Sequence, residues 1–105
     1  VMPVLMQVNI VGEDSKGGFA LSEVAAEAAR WRTLTGLRVE GVMTMAPFDA
    51  TDEVLRTCFR GARDARTRLQ DAGHPATELS MGMSQDYEVA VEEGATMVRL
   101  GTTLF

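Results

Sequence analysis

The chain has 105 residues, of which 46% are hydrophobic and 24% charged, and its formal net charge at pH 7 is −5. This length predicts one domain, spanning residues 1–105, with a core of modest size. The negative charge argues against nucleic acid as a partner, and no apolar run approaches the roughly 20 residues that cross a bilayer. No signal peptide is recognisable. The first residue is Val1, which leads us to expect a piece of a longer protein.

The cysteine and arginine residues restrict the class of protein further. Cys58 is the only cysteine, so an internal disulfide or a cysteine metal cluster is excluded and a reducing, cytoplasmic setting is expected. Five arginines lie between Arg56 and Arg68, interleaved with acidic residues. This pattern is typical of a solvated helix face.

The predicted elements alternate between strands and helices along the chain. Residues 3–10 predict a buried strand, residues 21–34 an amphipathic helix, and residues 39–46 a second strand. Residues 52–72 predict a long helix that ends at Gly73, residues 78–81 a third strand, residues 85–93 a short helix, and residues 96–100 a fourth strand. The fold class is therefore α/β, with the order β-α-β-α-β-α-β and four parallel strands joined by three helices. Four such strands form a small open sheet or half of a (β/α)₈ TIM barrel.

Several motifs have more than one interpretation. The glycine-rich loop at residues 11–18 resembles a P-loop in position, but Gly18-Phe19 stands where Lys-Ser/Thr is required, so we reject nucleotide binding there. Lys16, the only lysine, is a surface loop residue or a cation that attracts an anionic ligand. His74 is expected in a solvent-exposed turn, and Glu92-Glu93 on a helix surface. Met81 and Met83 flank Gly82 and are core fillers or, for one of them, a ligand contact.

The strongest local signal follows the last two predicted strands, at Ser-Met-Gly-Met-Ser (80–84) and Val-Arg-Leu-Gly-Thr (98–102). Ser84 offers a hydroxyl beside free amides at a helix start, and Gly101 lets the backbone approach an oxyanion closely. Thr102 adds a second hydroxyl, and Arg99 adds a cation next to the strand end. Loops after the last two strands of a barrel commonly bind phosphate. A phosphate site and a glycine-rich strand end with a structural arginine both remain open at this point.

At these residues the chain resembles a known family. Leu-Ser-Met-Gly-Met-Ser at 79–84, then Asp86, and Met-Val-Arg-Leu-Gly-Thr-Thr-Leu-Phe at 97–105 closely resemble the end of the YggS/PROSC family of pyridoxal phosphate (PLP) homeostasis proteins. Upstream, residues 7–10, 12–13, 15–16 and 18–19 resemble the mid-chain segment of that family, and residues 37–38 and 41–43 its next strand. The resemblance covers essentially the whole chain, in order.

The resemblance implies an alanine racemase-like barrel, of which this chain would supply the C-terminal half, strands five to eight. It implies that Ser84, Gly101 and Thr102 hold the phosphate of pyridoxal 5'-phosphate and that Arg99 approaches the pyridine nitrogen. It also implies that the family's Schiff-base lysine lies on an early strand that is absent here, because Lys16 matches a different lysine. Weak or absent PLP binding by this fragment is therefore expected. The resemblance to the family implies no robust catalytic activity.

Two other interpretations remain, together with an expectation about partners. The chain is alternatively a fragment of a PLP-dependent barrel-type racemase or decarboxylase, for which Tyr87 is a poor acid–base candidate, or a half-barrel without ligand function. Half a barrel exposes two strand edges and an apolar inner face. We therefore expect two copies to associate, with no membrane or nucleic-acid partner.

Overall fold

The computed structural model describes residues 2–10, 18–46, 50–83 and 86–99, and for Met83 and Arg99 the backbone alone. Within these ranges five strands, three α-helices and one short 3-10 helix form the fold. In chain order they are β1 (Met2–Asn9), β2 (Phe19–Ala20), the 3-10 helix (Leu21–Glu23), α1 (Val24–Trp31), β3 (Leu37–Met43), α2 (Asp52–Asp71), β4 (Glu78–Met83), α3 (Tyr87–Glu92) and β5 (Met97–Arg99).

The strands form one parallel sheet in the order β2-β1-β3-β4-β5. From β1 through β3 and β4 to β5, each strand lies beside the strand that precedes it in this series. Right-handed crossovers in such a steadily advancing order put every connecting helix on the same side of the sheet. This is the winding of a (β/α)₈ barrel, whereas a doubly wound sheet reverses direction and is covered on both sides.

The core lies between the sheet and the helices. Met6 on β1, Leu79 and Met81 on β4, and Phe59 and Leu69 on α2 have no exposed surface. They belong to one cluster with the other buried apolar residues that the structure describes. Since burying a large apolar side chain contributes about 1.5–3 kcal/mol, this cluster supplies most of the favourable free energy of folding.

Helix α2 shows how the sequence directs a helix to cover one side of the sheet. The Thr51 hydroxyl accepts a hydrogen bond from the Val54 amide at 3.3 Å and caps the helix start. The buried residues of α2 recur at spacings of three and four, which directs one stripe at the sheet: Cys58, Phe59, Ala62, Ala65 and Leu69. Gly73, with φ +97°, follows the end of α2 in the left-handed region that glycine adopts readily.

A bulge in β3 sets which residues face away from the helices. The register with β1 shifts by one residue, so that Val4 pairs with Val39 but Leu5 pairs with Gly41. The extra residue, Glu40, therefore lies on the same side as Gly41.

We call the side of the sheet that faces away from the helices the uncovered face. Strand alternation against the core residues places on it Leu5, Arg38, Glu40, Met43, Ser80 and Met97.

The structure corrects the predicted fold in several places. It has five strands rather than four, because the two residues of β2 are too few to produce a periodic pattern. The first helix is shorter than residues 21–34, since the 3-10 helix replaces its first turn and α1 ends at Trp31. The second strand begins and ends earlier than residues 39–46, and the third extends to Met83. In the described ranges, no helix is long and apolar enough to cross a membrane.

Candidate functional site

The carboxyl ends of β4 and β5 lie side by side. Met83, the last residue of β4, pairs with Arg99, the last residue of β5. Neighbouring strands are about 4.8 Å apart, so the two segments that follow begin next to each other. Ser84 comes directly after Met83, and Leu100 directly after Arg99. Parallel α/β folds bind their ligands at this edge of the sheet, which we call the carboxyl edge.

A threonine fixes the register of these two strands. The Thr96 hydroxyl accepts a hydrogen bond from the Leu79 amide at 2.8 Å, and the Thr96 amide donates to the Leu79 carbonyl oxygen at 3.0 Å. Both bonds lie just before β5 begins. They fix the position along β4 at which β5 starts, and therefore the position at which β5 ends with Arg99.

Helix α3 packs closely against the end of β4 because Gly82 has no side chain. Gly82 has φ +100°, and a Cβ there would lie 2.6 Å from the Ala90 Cβ and 3.4 Å from the Tyr87 Cα. Any larger residue would push α3 away from the strand. Asp86, which precedes α3, is itself buried, with 6% of its surface exposed.

The other end of α3 is held to α2 by an ion-pair cluster around Glu93, which is 5% exposed. Its carboxylate accepts hydrogen bonds from Arg56 Nη1 at 2.8 Å and from Arg60 Nε at 3.1 Å. Arg63 Nη1 donates to the Glu93 backbone carbonyl oxygen at 3.2 Å. Arg56 also donates to Glu92 at 2.6 Å and to Asp52 at 2.9 Å. Three arginines of α2 therefore clamp the carboxyl end of α3.

These contacts shift the pKa values of the groups involved. Hydrogen bonds from Arg56 and then Arg60 hold the pKa of the Glu93 carboxyl below its usual range, against the opposing effect of burial. Hydrogen bonds to Glu92, Glu93 and Asp52 raise the pKa of the Arg56 guanidinium. Glu93 therefore stays ionised at neutral pH although it is buried.

Two sequence predictions are wrong at these positions. Glu92-Glu93 is not simply a helix surface, because Glu93 is buried and paired across two helices. His74 is half-buried rather than exposed, and its Nε2 lies 2.8 Å from the Ala28 carbonyl oxygen at the end of α1. The arginines of α2 were expected on a solvated helix face. Three of them instead bond Glu93, which lies 30 to 37 positions later in the chain and is brought beside them by the tertiary structure.

A cavity lies at the opposite end of the sheet. It measures about 230 Å³ and is lined by the start of β3 and by residues around Trp31 and His74. The carboxyl ends of α1 and α2 lie near this cavity, and one carbonyl group of each has a side-chain partner. Arg32 Nη1 donates to the Ala72 carbonyl oxygen at 2.7 Å, while His74 contacts Ala28. The amino ends of barrel strands serve stability rather than chemistry, so this cavity is not the candidate site.

The predicted site residues are only partly within the described structure. Ser84, Gly101 and Thr102 lie outside the described residues, as does Lys16, and for Arg99 the backbone position alone is described. Of the two candidate methionines, Met81 is fully buried in the core, as core filling requires. In the described ranges, no group of three or more His, Cys, Asp or Glu side chains is arranged to hold a metal ion.

Comparison with known proteins decides the family. The alanine racemase N-terminal domain model matches residues 1–105. The chain belongs to this family. A relative from Aquifex aeolicus named pyridoxal phosphate homeostasis protein is 43% identical over 100% of this chain and 46% of its own length. The Escherichia coli K12 protein of the same name is 41% identical over 97% of this chain and 44% of its own length.

A solved family structure gives the same result. PipY of Synechococcus elongatus PCC7942, with PLP bound, superimposes with a TM-score of 0.84 at 33% identity, over 99% of this chain and 50% of that one. The chain therefore spans about half the length of the relatives that it matches. The predicted assignment to a C-terminal half is not confirmed, because the matched family model is that of an N-terminal domain.

Proposed function

We propose that this chain binds pyridoxal 5'-phosphate at the carboxyl edge, as part of a PLP homeostasis protein. One observation carries the proposal. Met83 pairs with Arg99, so two segments that contain hydroxyls, glycine and an arginine begin at adjacent strand ends. Membership of a family whose member PipY has been solved with PLP supports the same ligand.

The residues present suit the phosphate of this ligand. The hydroxyls of Ser84 and Thr102 and the amide of Gly101 are donors for phosphate oxygens, and glycine allows the close approach that a backbone donor needs. In this proposal Arg99 lies against the pyridine nitrogen. A guanidinium stays protonated at all relevant pH values, so it disfavours protonation of that nitrogen.

An arginine beside the pyridine nitrogen affects which function the bound cofactor can serve. Bound PLP supplies an electron sink, and its strength depends on the charge near the ring nitrogen. A permanent cation at that nitrogen weakens the sink, which suits a carrier more than a transaminase. Lys16 is the only lysine of the chain, and we expect it to differ from the lysine that holds PLP covalently in the family. We therefore propose weak, reversible binding to this chain.

A titration tests the proposal. PLP is added to the 105-residue chain while the absorbance of the cofactor and its fluorescence anisotropy are recorded. We expect saturable binding that is weakened at least about tenfold by Ser84→Ala and by Arg99→Ala, since each removes a phosphate or ring contact. Inorganic phosphate should compete in the unaltered chain.

Matched controls separate the site from general effects. Thr67→Ala removes an exposed hydroxyl from α2, and Arg30→Ala removes an exposed guanidinium from α1. Both should leave binding unchanged. If Ser84→Ala and Arg99→Ala bind PLP as tightly as these controls, the carboxyl edge is not the site.

The enzyme alternative lacks support from the described residues. A racemase or decarboxylase needs an acid–base group beside the cofactor. Tyr87, the first residue of α3, is 37% exposed, and His74 lies at the opposite end of the sheet. We therefore propose binding rather than catalysis as the role of this chain.

A further inference from the structure

Helix α3 has only six residues, Tyr87–Glu92, and it buries little of its surface. Ala90 is buried and Val89 is half-buried, while the other four residues are exposed. Helices shorter than about 12–15 residues are marginal in water, so α3 depends on contacts outside itself to keep its place. Two such contacts lie at its two ends, one at Gly82 and the other at Glu93.

The contact at Gly82 lies one residue before the end of β4. A Cβ at this position would lie 2.6 Å from the Ala90 Cβ and 3.2 Å from Val98 Cγ1. Ala90 belongs to α3 and Val98 to β5. A side chain at position 82 would therefore press on the helix and on the neighbouring strand at once, and its absence lets α3 lie directly on β4.

The contact at Glu93 ties the other end of α3 to α2. Arg56 and Arg60 donate to the Glu93 carboxylate at 2.8 and 3.1 Å, and the Glu93 side chain is 6% exposed. Hydrogen bonds between a carboxylate and guanidiniums are stronger and shorter than neutral ones, and they impose a geometry. Because α2 packs on the sheet through its own buried stripe, this contact fixes α3 relative to the whole fold.

The connection between β4 and α3 is too short to absorb a displacement of the helix. Met83 ends β4 and Asp86 directly precedes α3, so only Ser84 and Gln85 lie between them in the sequence. An extended chain advances at most about 3.6 Å per residue, which leaves a two-residue connection little slack. A displacement of α3 must therefore be transmitted to Ser84.

We propose that Gly82 and Glu93 are positioning residues for a phosphate ligand, because by holding α3 in place they fix the position of the Ser84 hydroxyl. Both act through Ser84 and not by contact with the ligand. This role rests on the proposed function, in which Ser84 donates to the phosphate of PLP. A displacement of about 1 Å is enough to spoil such a contact. Loss of the Glu93 charge should therefore weaken PLP binding although every proposed ligand contact is still present in the sequence.

A double-mutant cycle in PLP binding tests whether Glu93 acts through Ser84. Glu93→Gln alone should raise the PLP dissociation constant about five- to tenfold, roughly the loss of one hydrogen bond. In a chain that already carries Ser84→Ala, the same change should raise it less than about twofold, because no hydroxyl remains to be misplaced. A general effect on stability would give the same fold-change in both chains. Equal fold-changes, or no change in either chain, overturn the proposal.

Three further variants separate position from stability, with every titration made where circular dichroism shows the native spectrum. Glu88→Gln alters an exposed carboxylate of α3, and Val39→Ala destabilises the core at the opposite end of the sheet. Both should leave the PLP dissociation constant within about 1.5-fold. Arg60→Gln removes one hydrogen bond to Glu93 and serves if Glu93→Gln does not fold. It should raise the constant about two- to threefold, and only in the chain that retains Ser84; the same rise in Ser84→Ala overturns the proposal.

A measurement without ligand separates this role from the proposed function. In two-dimensional NMR spectra of the ligand-free chain, Glu93→Gln should shift the amide resonance of Ser84 more than Glu88→Gln does. Glu88 is four positions from Ser84 and Glu93 is nine, so a merely local effect predicts the reverse order. A larger shift from Glu88→Gln, or equal shifts, overturns the proposal whether or not PLP binds. If Glu93→Gln shifts Ser84 but the unaltered chain does not bind PLP, the positioning of Ser84 stands and the proposed function fails.

Discussion

On the helix side of the sheet, Met6, Leu79 and Met81 have no exposed surface, whereas on the uncovered face Met97 keeps 40% of its surface exposed. Methionine is thus fully buried on the helix side and partly exposed on the uncovered face. The helix side has already buried its apolar surface within one chain. On the uncovered face, part of the apolar surface of the described residues stays exposed.

Carboxylates show the same difference. Glu93, on the helix side, is 5% exposed and is bonded by two guanidiniums and by a third through its backbone. Glu40, on the uncovered face, has one arginine partner and a side chain that is 39% exposed. Stability of the single chain should therefore depend on Glu93 and hardly on Glu40.

The largest expected effect is at the sheet itself. In Gly41→Ala, the new Cβ would overlap the backbone carbonyl oxygen of Glu78 on the neighbouring strand. Backbone cannot move aside without breaking the β3–β4 pairing, so the free energy of unfolding should fall by about 3 kcal/mol or more. Urea unfolding followed by far-UV circular dichroism measures it.

Gly36→Ala is the control for this change. Apart from its two chain neighbours, no residue has a heavy atom within 4 Å of the new Cβ, so stability should change by less than about 0.5 kcal/mol. A Gly41→Ala chain as stable as the Gly36→Ala chain would show that the bulge of β3 is not packed as the structure has it.

The second effect is at the ion-pair cluster. Glu93→Gln removes the charge that Arg56 and Arg60 neutralise while keeping the side-chain volume. Unfolding free energy at pH 7 should fall by about 2 kcal/mol, since hydrogen bonds between charged groups are lost. Glu88→Gln, an exposed change in the first turn of α3, should cost less than about 0.5 kcal/mol.

This effect should depend on pH with a defined sign. The pKa of Glu93 is lower in the folded chain than the value of about 4.3 in an unfolded chain. Its contribution is therefore complete above the unfolded-state pKa and is lost as pH falls through the folded-state pKa. The difference between Glu93→Gln and the unaltered chain should shrink below about pH 4. A difference that stays constant down to pH 3 would contradict the ion-pair origin.

The third effect is at Thr44, which directly follows β3 and is hydrogen-bonded to residues of β1 and β4. Thr44 is 1% exposed, and its hydroxyl donates to the Val8 carbonyl oxygen at 2.7 Å. Thr44→Val keeps the shape but leaves a buried carbonyl without its donor, which should cost about 1–2 kcal/mol. Thr67→Val removes an exposed hydroxyl from α2 and should cost less than about 0.5 kcal/mol. Equal costs would show that the Thr44 hydrogen bond is exchanged for water.

The helix side of the sheet was easier to predict from sequence than the uncovered face. The stripe of α2 and the glycine that follows it are local patterns, and the helix begins at Asp52 as predicted. The strand β2 was missed because two residues have no periodicity. The bulge at Glu40 was missed because it depends on the partner strand, and not on the sequence of β3 alone.

The candidate site was predictable in its order along the chain but not in its contacts. Segments after the last two strands were expected at one edge, and the pairing of Met83 with Arg99 agrees with that expectation. The roles of Ser84, Arg99, Gly101 and Thr102 stay predictions. The clamp on Glu93 was missed, because a carboxylate on a helix surface and one buried against another helix look the same in sequence.

The smallest effect is at Glu40, on the uncovered face. Its side chain is 39% exposed and pairs with Arg38. Glu40→Gln should change the free energy of unfolding by less than about 0.5 kcal/mol, because exposed ion pairs contribute little. Unfolding in urea measures the change, and Glu93→Gln measured alongside gives the contrast with the buried carboxylate. A Glu40→Gln chain that loses more than about 1 kcal/mol would show that the pair of Arg38 and Glu40 is shielded from water, as the cluster around Glu93 is.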